Sequence, residues 1–474
     1  MNDGEYEAPP EERFPELAAL CRRHPLAYAG YRAAYLRHHN RNISEVDEIP
    51  FVTSVLFPVA ILGYLVLARV RYVLAVFQGS APTWDLDHDD HVFSMTSTRG
   101  YRSRTFVELA ETLQERGENV LFLCSPAAAE NRDEWEADGF PTVTHRELHG
   151  RAGVFAAVTG ALRSVVLTLR LRRIDDPAAR AGSAALVYNF VLLEFVKRES
   201  VRSISAADPS IHTFSPMPYL LSATSTERVF AYQHGLQQPL GDKIMAIPFF
   251  APVTLLIWGK PWLDTFRPHV HSETEIRAVG SPWYEYLAEK HQADRDPEYD
   301  ALFISASHGL TDPEIEAAFE DLARTVIETC ERHDYALAVK LHPLEDVEWY
   351  ERRGWAEYVV EFDDIDDALL ASRVSVTNAS TAFVESAVLG VPVVVTDLWE
   401  HGLDSLAPVD HVRFADVDEV EAAVKSAVNG DTFAADDPRS LVLTEGTVER
   451  ILDVVDERRG RSQASETTPS TENV

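Results

Sequence analysis

From about His91 onward, short apolar runs alternate with helical stretches, the pattern a parallel sheet covered by helices requires. The segments "HVFSM", "RTFVELAETLQERG" and "NVLFLCSP" give a first strand, helix and strand, with the loop "TSTRGYRS" after the first strand. Further strands are expected at "IHTFSP", "RVFAYQHG" and "TLLIWG", and the series closes near "IRAVGSPWYEYL". A charged linker is expected from Glu289 to Glu298. A second series then runs through "ALFISASHG", a helix from about Pro313 to Arg332, "YALAVKLHP", "YVVEF", "VSVTNAS", the helix "AFVESAVLG" and "VPVVVTDL". At 474 residues the chain is too long for one ordinary core, so two doubly wound α/β domains facing a cleft are expected.

Charge and cysteine content remove several classes of function. The formal net charge is -33, and arginine far outnumbers lysine. An acidic excess spread over a folded surface keeps a protein soluble at high salt, as in a halophile, and repels phosphate, so nucleic acid is not an expected partner. The three cysteines, Cys21, Cys124 and Cys330, are widely spaced, which provides neither a disulfide framework nor a paired metal site. The acidic run "DLDHDD" at Asp85 to Asp90 reads as a solvated linker, and no metal or other cofactor is called for.

Against that acidity, three stretches carry no Asp or Glu: Arg22 to Ser44, Ile49 to Trp84 and Leu148 to Ile174. Ile49 to Ala68 is twenty residues without a charge, long enough to cross a bilayer, with Pro58 near its centre. A full span, a re-entrant helix kinked at the proline and a buried core hairpin all fit this run. Arginines flank it on both sides, so they do not set an orientation. The third stretch, "GVFAAVTGALRSVVLTLRLRRI", gathers its arginines at one end, as in a helix lying on anionic lipid or a core helix with an exposed basic end. The expected organisation is a helical segment over 1–48, a membrane-associated apolar segment over 49–84, Rossmann-like domains over 85–288 and 289–459, and a disordered tail over 460–474.

Candidate site residues fall where strands end. "AYQHG" places Gln233, His234 and Gly235 after one strand, with an imidazole suited to proton exchange near neutrality. "VGSP" places Gly280 and Ser281 in a turn that opens a helix. "VKLHP" supplies Lys340, His342 and the fixed turn at Pro343. "TNASTAFVESAVLGVP" puts Ser380 and Thr381 at a helix start and Glu385 one turn further along. Hydroxyls at a helix start can hold phosphate or merely cap the helix, and Glu385 can accept hydrogen bonds from sugar hydroxyls or lie at the surface.

The order of these motifs resembles nucleotide-sugar transferases of the GT-B fold, in particular the CDP-glycerol glycerophosphotransferase and capsule polysialyltransferase-like group. The matching residues are "QHG" from Gln233, "GSP" from Gly280, "KLHP" from Lys340 and "NASTAFVESAVLGVPVV" from Asn378. The resemblance implies donor phosphates on His342, Ser380 and Thr381, a ribose contact from Glu385 and an acceptor-side base at His234. It further implies a nucleotide-activated sugar or polyol donor and a lipid-linked or surface-glycan acceptor, used without a metal at the cytoplasmic face of the membrane. The chain departs from the glycerophosphotransferase pattern in Gln233 before the histidine and in "NAST", where that group has an aspartate-tyrosine-serine run. A non-hydrolysing sugar-nucleotide epimerase and a non-catalytic binding member of the fold are the alternatives.

Overall fold

The computed structural model describes residues 90–95, 100–124, 132–144, 203–206, 229–233, 254–267, 270, 272–290, 297–305, 313–342, 345–378, 380–398, 403–431, 433–436 and 440–466. The membrane-associated segment expected over 49–84, the helical segment expected over 1–48, the basic stretch Leu148 to Ile174 and the strand expected at "IHTFSP" lie outside those residues. No helix among the described residues is long and apolar enough to cross a membrane.

The first series contains β1 (Asp90–Met95), α1 (Gly100–Glu115), β2 (Asn119–Cys124), α2 (Arg132–Ala137), β3 (Thr142–Thr144), β4 (Ser203–Ala206), β5 (Val229–Tyr232), β6 (Thr254–Ile257), α3 (Trp262–Phe266), β7 (Glu275–Ala278) and α4 (Pro282–Lys290). Its strands form one parallel sheet in the order β3-β2-β1-β4-β5-β6-β7. The second series contains β8 (Tyr299–Ile304), α5 (Pro313–His333), β9 (Leu337–Lys340), α6 (Glu348–Glu351), α7 (Ile365–Leu370), β10 (Ser372–Asn378), α8 (Ala382–Val388), β11 (Val393–Thr396), β12 (Val412–Phe414), α9 (Val420–Val428) and α10 (Thr447–Glu466). Its strands pair in parallel in the order β12-β11-β10-β8-β9. Both orders start in the middle and grow toward each edge in turn, the doubly wound topology of Rossmann-like lobes.

Strand alternation sorts the core into layers, because successive side chains point to opposite faces of a sheet. In β8, Leu302 and Ile304 join a cluster that also takes in Leu255 and Ile257 of the first sheet, so the two lobes share apolar packing. Ala301 and Phe303 face the other way, against Phe319, Val326 and Ile327 of α5 and Val424 of α9. On the outer face of the first sheet, Phe93, Phe106 and Phe122 pack with Ile451, Leu452 and Val455 of α10. The chain's final helix therefore crosses back to cover the first lobe.

That return is fixed by close backbone approach and by a borrowed cap. The Trp262 indole donates to the Leu441 carbonyl at 2.8 Å, and the Leu443 amide donates to the Trp258 carbonyl at 3.0 Å. A Cβ on Gly259 would lie 2.4 Å from the Leu441 oxygen, and one on Gly280 would lie 2.3 Å from the Leu443 oxygen. Glu285 of α4 accepts hydrogen bonds from the Gly446 amide at 2.7 Å, from the Thr447 amide at 3.0 Å and from the Thr447 hydroxyl. A carboxylate set there satisfies donors that a helix start leaves open and complements the helix dipole of α10.

Three expectations are corrected. "YVVEF" is not a strand: a 3-10 turn at Ala356–Tyr358 leads to a single bridge between Val359 and Val339, so only one residue extends the sheet beyond β9. The loop "TSTRGYRS" is partly helical, since α1 begins at Gly100. The tail expected to be disordered from residue 460 is helical as far as Glu466, because α10 continues from the part packed on the first lobe.

Gly280 and Gly430 both have positive φ, at 90° and 95°, but a Cβ on Gly430 would meet nothing within 4 Å. Gly430→Ala should cost about 1–2 kcal/mol from backbone strain alone. Gly280→Ala should cost a further ~1–3 kcal/mol or prevent folding, because it pushes on the returning backbone. Urea unfolding compares them, and equal costs would show that the return is not tightly seated at Gly280.

Candidate functional site at the carboxyl edge of the second sheet

Helices and the other lobe cover both faces of the second sheet, so polar side chains collect where its strands end. β8 is flanked by β9 on one side and β10 on the other, so the chain's direction of travel across the sheet reverses between β8 and β10. In an open α/β sheet this switch point, at the carboxyl ends, is where a ligand fits between diverging loops. Register places Ile304 opposite both Lys340 and Thr377, and Asn378 opposite Thr396. The edge thus presents Ser305, Lys340, Thr377, Asn378 and Thr396 at one level.

Several of these groups are costly where they stand. Asn378 has no exposure to solvent, and neither its side-chain oxygen nor its nitrogen has a hydrogen-bond partner among the described residues. The Thr396 hydroxyl, also buried, has none either. An unsatisfied buried polar group costs about 1–3 kcal/mol, a cost that a ligand or ordered water at this edge would offset.

The loop after β9 is closed on itself. The Glu345 amide donates to the His342 carbonyl at 2.8 Å, and the His342 amide donates to the Glu345 carboxylate at 3.2 Å. These reciprocal bonds hold half-buried His342 beside the end of β9, which carries half-buried Lys340.

Across the switch point, the start of α8 is more self-contained than its sequence suggests. The Ser380 hydroxyl accepts from the Ala382 amide at 3.3 Å, Phe383 donates to the Ser380 carbonyl at 3.2 Å, and Val384 donates to the Thr381 carbonyl at 2.9 Å. The helix is only two turns long. Its first amides are therefore engaged within the turn, and half-buried Thr381 offers a hydroxyl rather than a free amide cradle.

Glu385 stands beside this edge on α8. It is 8% exposed, and one carboxylate oxygen accepts from the Trp283 indole of α4 at 3.1 Å. Burial pushes its pKa up from 4.5 to about 7; the indole bond opposes that shift, buried Asp366 of α7 adds to it, and the charge of Lys340 offsets part of it. A carboxyl titrating near neutrality, within electrostatic reach of a lysine at a strand end, can accept a hydroxyl hydrogen bond or exchange a proton.

Lys340, His342, Ser380, Thr381 and Glu385 thus lie around one sheet edge, on β9, its following turn and α8. The other expected residues are placed differently. Gln233 follows β5, and its side-chain oxygen accepts from the Trp258 amide at 3.0 Å, tying two strand ends of the first sheet together. Gly280 and Ser281 follow β7, where Gly280 seats the returning chain and the Ser281 carbonyl receives the Glu285 amide at 3.0 Å. His234, Gly235 and Pro343 lie outside the described residues. Trp283, Asp366 and the buried Asn378 are additions; Trp283 sits in the quoted "GSPWYEYL", but an aromatic in a helix gave no chemical signal. Among the described residues no cluster of His, Cys, Asp or Glu could hold a metal ion.

No family model matches the chain, and no curated protein matches it. Among solved structures it is similar to UDP-N-acetylglucosamine 2-epimerase from Rickettsia bellii, at 10% identity over 80% of this chain and 99% of that one, with a TM-score of 0.49. It is also similar to UDP-GlcNAc 2-epimerase from Methanocaldococcus jannaschii in complex with UDP-GlcNAc and UDP, at 12% identity over 78% and 99%, with a TM-score of 0.44. A third is the wall teichoic acid polymerase TagF with CDPG, at 11% identity over 87% and 99%, with a TM-score of 0.39. None of these scores reaches 0.5, and none carries an activity over to this chain. The two Rossmann-like lobes of parallel sheet described above are consistent with the GT-B fold.

Because folding raises the Glu385 pKa, the native state binds that proton more tightly than the unfolded chain between about pH 4.5 and 7. Stability from this group is therefore greatest below that window and falls by up to about 3 kcal/mol as pH rises through it. Glu385→Gln abolishes the effect, so its stability relative to wild type should increase from pH 5 to pH 8. Denaturant unfolding at the two pH values checks this, and a constant difference would contradict the burial of an ionising carboxyl.

Proposed function

We propose that this chain is a metal-independent GT-B transferase that moves a sugar or polyol phosphate from a nucleotide-activated donor to a lipid-linked or surface-glycan acceptor. The observation that supports the reading is that Lys340 and Asn378 end the two strands flanking β8 at the switch point of the second sheet, with His342 in the turn after one and Thr381 and Glu385 following the other, and that Lys340 acts electrostatically on Glu385. A cation and an imidazole at a strand end suit an anionic leaving group, while a carboxyl and an amide suit the hydroxyls and polar edges of a nucleotide.

In the proposed reaction, an acceptor hydroxyl gives its proton to His234 as its oxygen bonds to the donor's anomeric carbon, or to phosphorus for a polyol phosphate donor. The bond from that centre to the nucleotide's phosphate oxygen breaks, and the electron pair leaves with the nucleotide. Lys340 and His342 stabilise the charge that grows there. The second lobe holds the donor, the first lobe presents the acceptor, and closure of the cleft excludes water. The basic and apolar stretches before and within the first lobe would hold the protein at the cytoplasmic face of the membrane, beside a lipid-linked acceptor.

Calorimetric titration with CMP, CDP, UDP and GDP should give binding for at least one. Lys340→Met should weaken that binding by about 10–100-fold, the scale of one charge-assisted contact to a phosphate. The double variant Ser380→Ala, Thr381→Ala should weaken it as well. His234→Ala should bind nucleotide as wild type does but lose transfer to membrane acceptor. Absence of binding to all four nucleotides would overturn the reading, and unaltered turnover would remove His234 from its role.

A further inference from the structure

Helix α4 carries two side chains that reach in different directions. Glu285 holds the start of α10, where the chain returns to the first lobe. Trp283, half-buried and tilted against Tyr286 at 5.7 Å between ring centroids, reaches the second lobe and donates to one oxygen of Glu385. An indole has a single N–H and no acceptor, so it can occupy one carboxylate oxygen and leaves the other for a second donor. We propose that Trp283 is the positioning residue for Glu385: it fixes the carboxylate from α4, so that the other oxygen meets a hydroxyl of the bound nucleotide. This rests on the donor-site reading above.

The surroundings of Glu385 make the indole contact consequential. α7 contributes buried Asp366, which repels the carboxylate, and exposed Asp367; β9 contributes Lys340, which attracts it. On α4, Glu285 is engaged by α10 and Glu289 is exposed. Arg373, the titratable side chain of β10, lies at the opposite end of that strand, paired with Asp300 at 3.2 Å, and β11 has none. The Trp283 bond and Lys340 are thus the named forces favouring the charged form against burial and Asp366. Loss of the bond both frees the side chain to rotate and raises the pH at which it ionises.

Two readouts on the full chain test this. The fluorescence of wild type minus that of Trp283→Phe isolates the Trp283 signal. It should titrate with a midpoint near pH 7, set by Glu385, and be flat in the same subtraction made on a Glu385→Gln background. A missing inflection, or one that persists without Glu385, would overturn the coupling whether or not any nucleotide binds. With CDP and UDP as probes, Trp283→Phe should weaken binding about 5–20-fold at pH 7.5 and move the pH below which binding falls upward. It should add nothing to Glu385→Gln in the double variant. Losses that multiply instead would make Trp283 a merely structural residue. If neither probe binds wild type, CMP or GDP takes their place; if none of the four nucleotides binds, the donor-site reading fails, and the fluorescence result alone decides whether Trp283 controls the Glu385 carboxyl.

Discussion

A parallel sheet covered on both faces leaves its polar side chains one place to gather, the carboxyl ends of its strands. Both sheets here obey that constraint. Along β8 and β10 apolar residues alternate between two layers; Ser372 and Ser375 of β10 are buried but bonded to Ala368 and Ser386, and the remaining polar groups gather at the strand ends: Ser305 beyond β8, Lys340 ending β9, Thr377 and Asn378 ending β10 and Thr396 ending β11. The register that stacks Leu302 and Phe303 into their cores is the same register that brings these polar ends level. Packing and site are consequences of one pairing pattern.

The second organising element is α4, which stands between the lobes. Gly280 lets the returning chain pass at the end of β7, and Glu285 caps the helix that this chain becomes. Two residues before Glu285, Trp283 touches Glu385 at the candidate site. One short helix therefore contacts both the returning chain, through Glu285, and the candidate site, through the Trp283 indole.

Where the sequence speaks through periodicity, it is legible. The expected bounds of α5 lie within a residue of those observed, and the helix has acidic residues in its first turn, Arg332 and His333 in its last, and one apolar face. β8, β9, β10 and β11 were visible as apolar runs ending in polar turns. "YVVEF" has the same composition as a strand, but its valines lie half-buried past an edge strand, and composition does not reveal that only one of them pairs. β3 and β12 are three residues each, too short to carry a pattern. At the site, charged and hydroxyl residues stood out by type, whereas Trp283 reads as ordinary core. The roles of Gly280 and Gln233 depend on partners far away in the chain, Leu443 for the one and Trp258 for the other. His234 and the apolar run Ile49 to Trp84 lie outside the described residues, so the roles proposed for them rest on the sequence alone.

The central claim is that the switch-point edge of the second sheet binds the nucleotide. Amide hydrogen exchange, with and without saturating CDP or UDP, tests it most directly. The account predicts slower exchange in peptides covering residues 337–346 and 376–390, with the far edge of that sheet at β12 unchanged. Protection confined to the first lobe, or no change at that edge while nucleotide is demonstrably bound, would contradict it.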